Sequence, residues 1–162
     1  MATLKVVVYP SPVLTKKAEP VTHIGVTERT LIRNMVQTMY AEGGVGIAAP
    51  QVGVSKRIFV ASPNAKPGEE EVFINPVVFK SSGEQVGFEG CLSLPEISGE
   101  IRRAKYVEFE YLNLDGKKKQ GKVSDFMARI FQHELDHLDG KLLIDRVDFD
   151  QRQEILSSYQ RL

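Results

Sequence analysis

Apolar positions along this chain change their period several times, and each change marks an element. Over residues 26–42, Leu31, Met35 and Met39 recur four apart, the spacing of one face of an α-helix. Thr27 is placed to cap that helix and Gly43-Gly44 to end it. Short β-branched or aromatic runs separated by turn residues then predict strands over 57–61, 72–74, 77–79, 106–114 and 117–123. Val107, Phe109 and Tyr111 alternate with Glu108 and Glu110, and Asp115-Gly116 supplies a turn, so the last two of these read as a hairpin. Its far arm starts with Lys117-Lys118-Lys119, a solvated face and not a binding patch.

The helical period returns after Ser124-Asp125, where Phe131, Leu135 and Leu138 form an apolar stripe. A last helix opens near Asp148, with Gln151 three residues on in the position of a capping box. Its Ile155, Leu156 and Tyr159 fit packing on this domain; docking on a ribosome is the alternative. Residues 63–71 read as a mobile loop. Strands grouped between helices predict an α+β fold over 1–162, a single domain of short, mainly antiparallel strands around a central helix, with an N-terminal and a C-terminal helix.

The central helix carries His133-Glu134-Leu135-Asp136-His137. Residues four apart lie on one helix face, roughly 6 Å apart along the axis, so both imidazoles can reach one metal ion. Glu134 leaves the helix about 100° further round, placed to act on a water and not to ligate. A hydrolytic metal site usually takes three protein donors and keeps a position open. The third histidine of the chain, His23, stands in a turn-like stretch without carboxylate or cysteine neighbours and reads as a surface residue. The single cysteine, Cys91, is the better candidate, because Gly90 before it leaves room for close approach. By itself a lone cysteine is also compatible with a small buried hydrophobe. Upstream, Gly44, Gly46, Ala48 and Ala49 remove side-chain bulk, so an extended peptide could approach a sheet edge there. A phosphate loop is excluded, because neither the lysine nor the helix-opening hydroxyl follows the glycines.

Three motifs in order, residues 44–51 (Gly-Val-Gly-Ile-Ala-Ala-Pro-Gln), 89–93 (Glu-Gly-Cys-Leu-Ser) and 132–138 (Gln-His-Glu-Leu-Asp-His-Leu), resemble the signature set of peptide deformylase. The resemblance runs from Tyr9-Pro10 through Ile74-Asn75-Pro76 to Gly140 and beyond. It implies removal of the formyl group from the N-terminal formylmethionine of nascent peptides. It also implies Cys91, His133 and His137 as metal ligands, Glu134 as general base and acid, and Gln51 with the backbone N–H of Leu92 as oxyanion donors. The cofactor implied is one divalent ion, Fe2+ as the native metal, with Zn2+, Ni2+ or Co2+ accepted by the same donors. Substrate would meet Gly44, Val45, Gly46 and Gly90, with Val45, Phe126 and Ile130 beside a methionine pocket. Arg129 is open to two readings, the substrate backbone or bulk solvent. Glu89 could pair with Arg102 or Arg103, and Asp136 could brace an arginine; surface ion pairs fit the sequence equally well.

Composition narrows the alternatives. Lysine and arginine number 21 and aspartate and glutamate 21, so no basic field points toward nucleic acid. One unpaired cysteine fits a reducing compartment. No secretory signal and no membrane span is legible, so a cytoplasmic protein, or a processed organellar one, is expected. Partners are then formyl-Met nascent peptides, with the ribosome near the peptide exit as a place to meet them. Two other classes share the histidine motif. A zinc endopeptidase would need a downstream third donor, for which Glu154 is available only by an unusual fold-back. A non-catalytic, metal-stabilised peptide-binding domain would need neither Glu134 nor Gln51.

Overall fold

Residues 2–160 are described by a computed structural model. The N-terminal helix α1 (Val26–Ala41) is followed by the strands β1 (Gly46–Ala48), β2 (Ile58–Ala61) and β3 (Glu71–Ser82). Next come β4 (Gln85–Cys91) and β5 (Leu94–Arg103), then β6 (Tyr106–Leu112) and β7 (Lys118–Ser124). The helices α2 (Asp125–Leu138) and α3 (Phe149–Gln160) end the chain. An antiparallel five-stranded sheet runs in the order β1-β2-β3-β6-β7, and β4 and β5 form a separate antiparallel ribbon. The expected α+β architecture with a central helix is borne out.

Helix α2 lies against the sheet through an aromatic core. Phe59, Phe73, Phe109 and Phe131 are all but solvent-free, and Phe131 of α2 stacks on Phe109 with ring centroids 4.0 Å apart. Gly121 stands opposite Phe109 in the β6–β7 pairing, and a Cβ there would lie 2.5 Å from the Phe109 ring. The absent side chain lets that ring lie flat across the neighbouring strand. Behind the sheet's other strands, Ile32, Met35 and Met39 of α1 pack with Ile47, Ile58, Val60 and Ile74. Helix α3 seats Ile155 among Leu14, Leu94, Ile101 and Leu143, and the Tyr159 hydroxyl donates to the Tyr9 carbonyl at 2.6 Å. It packs on its own domain.

Several local expectations need correction. The first helix starts at Val26 with Gly25 in the cap position, and Glu28, not Thr27, closes the turn by accepting the Gly25 N–H at 2.9 Å. The two strands predicted over 72–74 and 77–79 are one strand, β3, carried past Pro76 by an irregularity in its pairing with β6. Asn75 takes a left-handed backbone there (φ 50), and its amide both accepts from and donates to the backbone of Val21 at 2.8 Å. Gln151 does not complete a capping box. Its N–H is held by Asp148 at 2.8 Å, while its side chain accepts from the Glu100 N–H at 2.9 Å. In the segment read as a mobile loop, the Tyr40 hydroxyl reaches the Lys66 carbonyl and Glu70, and beside it Ser62, at 2.7–3.0 Å. The β4–β5 ribbon and the short β1 had no counterpart among the predicted strands.

Candidate metal centre

Three segments meet at one end of α2. The helix supplies His133 and His137, the β4–β5 turn supplies Cys91, and the 3-10 turn Ala49–Val52 after β1 supplies Gln51. Backbone near the N-terminus ties the last two together: Val7 N–H donates to the Gln51 carbonyl at 2.7 Å and Tyr9 N–H to the Ser93 carbonyl at 2.9 Å. The Nε2 atoms of His133 and His137 stand 3.3 Å apart, and Cys91 Sγ is 3.3 Å from His137 Nε2. All three donor atoms lie within 4.8 Å of one another. Tetrahedral ligation at roughly 2.0–2.3 Å puts neighbouring ligand atoms roughly 3.3–3.6 Å apart, so the two nitrogens and the sulfur fit around one divalent ion. His23 is exposed and takes no part.

His133 is oriented from behind, whereas the buried Nδ1 of His137 has no hydrogen-bond partner among the described residues. The Nδ1 of His133 meets Glu89 Oε1 at 2.8 Å, which leaves Nε2 for the site. Glu89 in turn accepts from Arg103 through Nε at 2.9 Å and Nη2 at 2.8 Å, and from Arg129 Nη1 at 2.6 Å. Burial opposes the charge on Glu89, but Arg103 and His133 outweigh it and hold the carboxyl well below the usual carboxylate range. Arg103 also donates to Asp136 at 2.6 Å. The partner of Glu89 is therefore Arg103, and Arg102 pairs instead with exposed Glu84. Burial disfavours a charged imidazole at both histidines. At His133 the hydrogen bonds to Cys91 and Glu89 outweigh it and raise the basicity, whereas His137 stays well below the ordinary histidine value because burial and the neighbouring His133 act together.

Glu134 is buried beside the donors, with Oε1 lacking a hydrogen-bond partner among the described residues. Burial pushes its carboxyl up to about 7, with nearby His133 opposing. Its neighbour across the cleft is Gly46, where a Cβ would lie 2.5 Å from Glu134 Oε2. Gln51 is aimed by its own carbonyl oxygen, which accepts the Ala48 N–H at 2.9 Å. That turns its NH2 toward Cys91 Sγ (3.5 Å) and Ser93 Oγ (3.3 Å). A cavity of about 540 Å³ opens over these groups, lined by Gly44, Val45, Gly46, Gly90, Leu92, Phe126, Arg129 and Ile130 among others. Arg129 fits neither of its expected settings fully: it borders the cavity, yet its guanidinium is committed to Glu89 and it is 8% exposed. Phe88, Pro95, Glu96 and Ile97 also line the cavity and were not anticipated. Glu96 has φ 65, a conformation that nothing in its sequence context announces.

A helix presenting two imidazoles and an unpartnered carboxylate, with a thiol brought in by a hairpin, defines a metallohydrolase. The polypeptide deformylase family matches residues 3–153. The peptide deformylase of Symbiobacterium thermophilum is 48% identical over 146 residues, 90% of this chain and 67% of that protein. That of Acidobacterium capsulatum is 42% identical over 159 residues, 97% and 94% of the two chains. Among solved structures, the peptide deformylase from Legionella pneumophila matches with a TM-score of 0.94 at 35% identity, covering 98% of this chain and 94% of its own. The one from Synechococcus elongatus, in complex with actinonin, matches with a TM-score of 0.92 at 34% identity, covering 97% and 88%. The chain belongs to the peptide deformylase family, whose reaction removes the N-formyl group from nascent peptides. The endopeptidase alternative fails on geometry as well: Glu154 borders a different cavity, with Ser98 and Ser158, and is not among the clustered donors. No described helix is long and apolar enough to cross a membrane.

Proposed function

We propose that Cys91, His133 and His137 hold the catalytic metal, that Glu134 moves the proton, and that Gln51 and the Leu92 N–H receive the developing oxyanion. The observation carrying this reading is the convergence of two nitrogens, one sulfur and the unpartnered Glu134 carboxylate at the floor of one cleft. A divalent ion held there, Fe2+ in the cell by our reading, would supply Lewis acidity and lower the pKa of a water. Glu134 takes the proton from that water as it attacks the formyl carbon and delivers it to the departing amine, so base and acid are one residue. Burial raises the proton affinity of its carboxyl. The Gln51 amide, fixed by Ala48, offers N–H groups before the charge forms, and one preorganised donor of this kind is worth about 3 kcal/mol of barrier.

The peptide enters beside β1, the edge strand of the five-stranded sheet. Gly44 and Gly46 let this segment lie close to Leu92 and Glu134, and the free edge of β1 offers backbone groups to an extended peptide. Val45, Phe126 and Ile130 give the methionine side chain an apolar wall, and the cavity is of a size that suits a small ligand. Balanced charge and a thiol that must stay reduced favour the cytoplasm, or the matrix of an organelle, as the working compartment. The test is anaerobic. Protein loaded with iron(II) or nickel is offered formyl-Met-Ala-Ser and acetyl-Met-Ala-Ser, and formate and free amine are measured. Formate from the first substrate alone is expected; none from fully metal-loaded protein would refute the assignment, and cleavage of an internal bond would favour an endopeptidase.

A further inference from the structure

A line of ion pairs leads from His133 through the protein to its surface. His133 Nδ1 is held by Glu89, Glu89 by Arg103, and Arg103 by Asp136. Asp136 is held in turn by Arg146, which donates Nη2 to Oδ1 at 2.7 Å and Nε to Oδ2 at 3.0 Å. We propose that Arg146 is a positioning residue of the metal centre, keeping Arg103 divided between Glu89 and Asp136 so that Glu89 holds the His133 ring. This rests on His133 being a ligand.

Arg103 is a single buried cation claimed by two buried carboxylates. Glu89 takes its Nε and Nη2, and Asp136 takes its Nη1. A fork from a second arginine satisfies Asp136, and among the described residues nothing but Arg146 bonds its Oδ1. Without that fork, Asp136 is left a buried carboxylate oxygen with no partner. Burying such a group is costly, and the nearest cure is a second N–H from Arg103. Arg103 has spare N–H groups, but turning its plane toward Asp136 weakens its fork on Glu89 and leaves that carboxylate to Arg129, so the anchor of the imidazole loosens. The side chain of Arg146 is 40% exposed while those of Arg103 and Arg129 are 4% and 10%. Truncating it therefore opens no hole in the core. Groups that orient a metal-bound histidine typically change metal affinity by 10–100-fold when removed.

The experiment compares wild type with Arg146→Met, Arg146→Lys and, as control, Arg102→Met, whose arginine pairs on the surface with Glu84. Each protein is loaded with cobalt(II). Cobalt transfer to a chelator and the visible cobalt absorption are recorded, alongside kcat and KM for formyl-Met-Ala-Ser. Arg146→Met is expected to release cobalt about 10-fold faster with an altered spectrum, and to lose kcat while KM stays within about twofold. Arg146→Lys keeps the charge without the fork and falls between; Arg102→Met matches wild type. A folded Arg146→Met protein with wild-type release and spectrum overturns the proposal, as does an equal change in Arg102→Met. If Arg146→Met does not fold, Arg146→Lys decides on the same readouts. Wild type that holds cobalt yet yields no formate would sink the reaction proposed above and leave the cobalt comparison to judge Arg146.

Discussion

Replacing Gly46 by alanine should separate activity from stability. Gly46 lies in β1 with backbone angles open to any residue, since its φ is not among the positive ones. The added Cβ would fall 2.5 Å from Glu134 Oε2, 2.9 Å from its Cδ and 3.0 Å from its Cγ. All three atoms belong to one flexible side chain, so the fold can absorb the methyl by moving Glu134 alone. That carboxylate must retreat by roughly 1 Å to reach ordinary contact distance. A misplacement of about 1 Å in a reacting group can cost about 100-fold in rate, equivalent to about 2.7 kcal/mol of barrier. Loss of backbone freedom in the unfolded chain stabilises the same variant by about 0.4–1 kcal/mol. The expected result for Gly46→Ala is thus kcat down by 10- to 100-fold, with metal content and melting temperature equal to or above wild type. Steady-state formate release, metal analysis and a thermal melt decide it. Activity within twofold of wild type would show that Glu134 works from another position than the one described, and a collapse in melting temperature would show that the strain is not confined to its side chain.

Other expectations are shorter. Cys91→Ala should lose metal and activity together, whereas Glu134→Gln should keep the metal and lose about 100- to 10,000-fold in kcat; metal analysis beside formate release separates the two, and normal metal retention by Cys91→Ala would remove the thiol from the ligand set. Gly121→Ala should do the opposite of Gly46→Ala, because its Cβ meets the Phe109 ring at 2.5 Å and that ring is stacked on Phe131. Overpacking there should cost about 1–3 kcal/mol, read as a lowered denaturation midpoint. The carboxyl of Glu28 is lowered to about 2, chiefly by the hydrogen bond from Lys56 and then by the Gly25 N–H. A depressed carboxylate contributes stability that is present above its ordinary value of 4.5 and lost as pH falls toward 2. Glu28→Gln should therefore lie below wild type in melting temperature at pH 6 and converge with it between pH 4.5 and 2; a constant offset across that range would contradict the pairing.

The parts of this fold legible in the sequence are those where burial follows apolarity. Helix α1, the β6–β7 hairpin and α2 show their periods because Met35, Met39, Phe109 and Phe131 are apolar and buried. The three motifs likewise pointed to residues that the fold brings together, among them the clustered donors Cys91, His133 and His137. Ion-pair partners were harder, because Arg102 and Arg103 are adjacent and only their directions in β5, outward and inward, separate them.

The β4–β5 ribbon escaped detection for a physical reason that bears on function. Along β4 the apolar Val86 and Phe88 are 52% and 73% exposed while Glu89 is buried, and in β5 Arg103 is buried beside exposed Arg102. In β4, and at Arg103 of β5, the usual alternation is inverted, so a reading that equates apolar with inside finds no strand there. The inversion arises because Glu89 and Arg103 face charged groups on α2, namely Arg129 and Asp136, while Leu94 and Ile101 of β5 face an apolar layer. A buried ion-pair layer adds little net stability compared with apolar packing of the same volume. Its use here is geometric: Glu89 reaches His133 only because β4 turns that carboxylate inward, and the same turn of the strand sets Phe88 on the wall of the cleft. The segment hardest to predict from hydrophobicity is thus the one that holds His133 with one face and borders the cleft with the other.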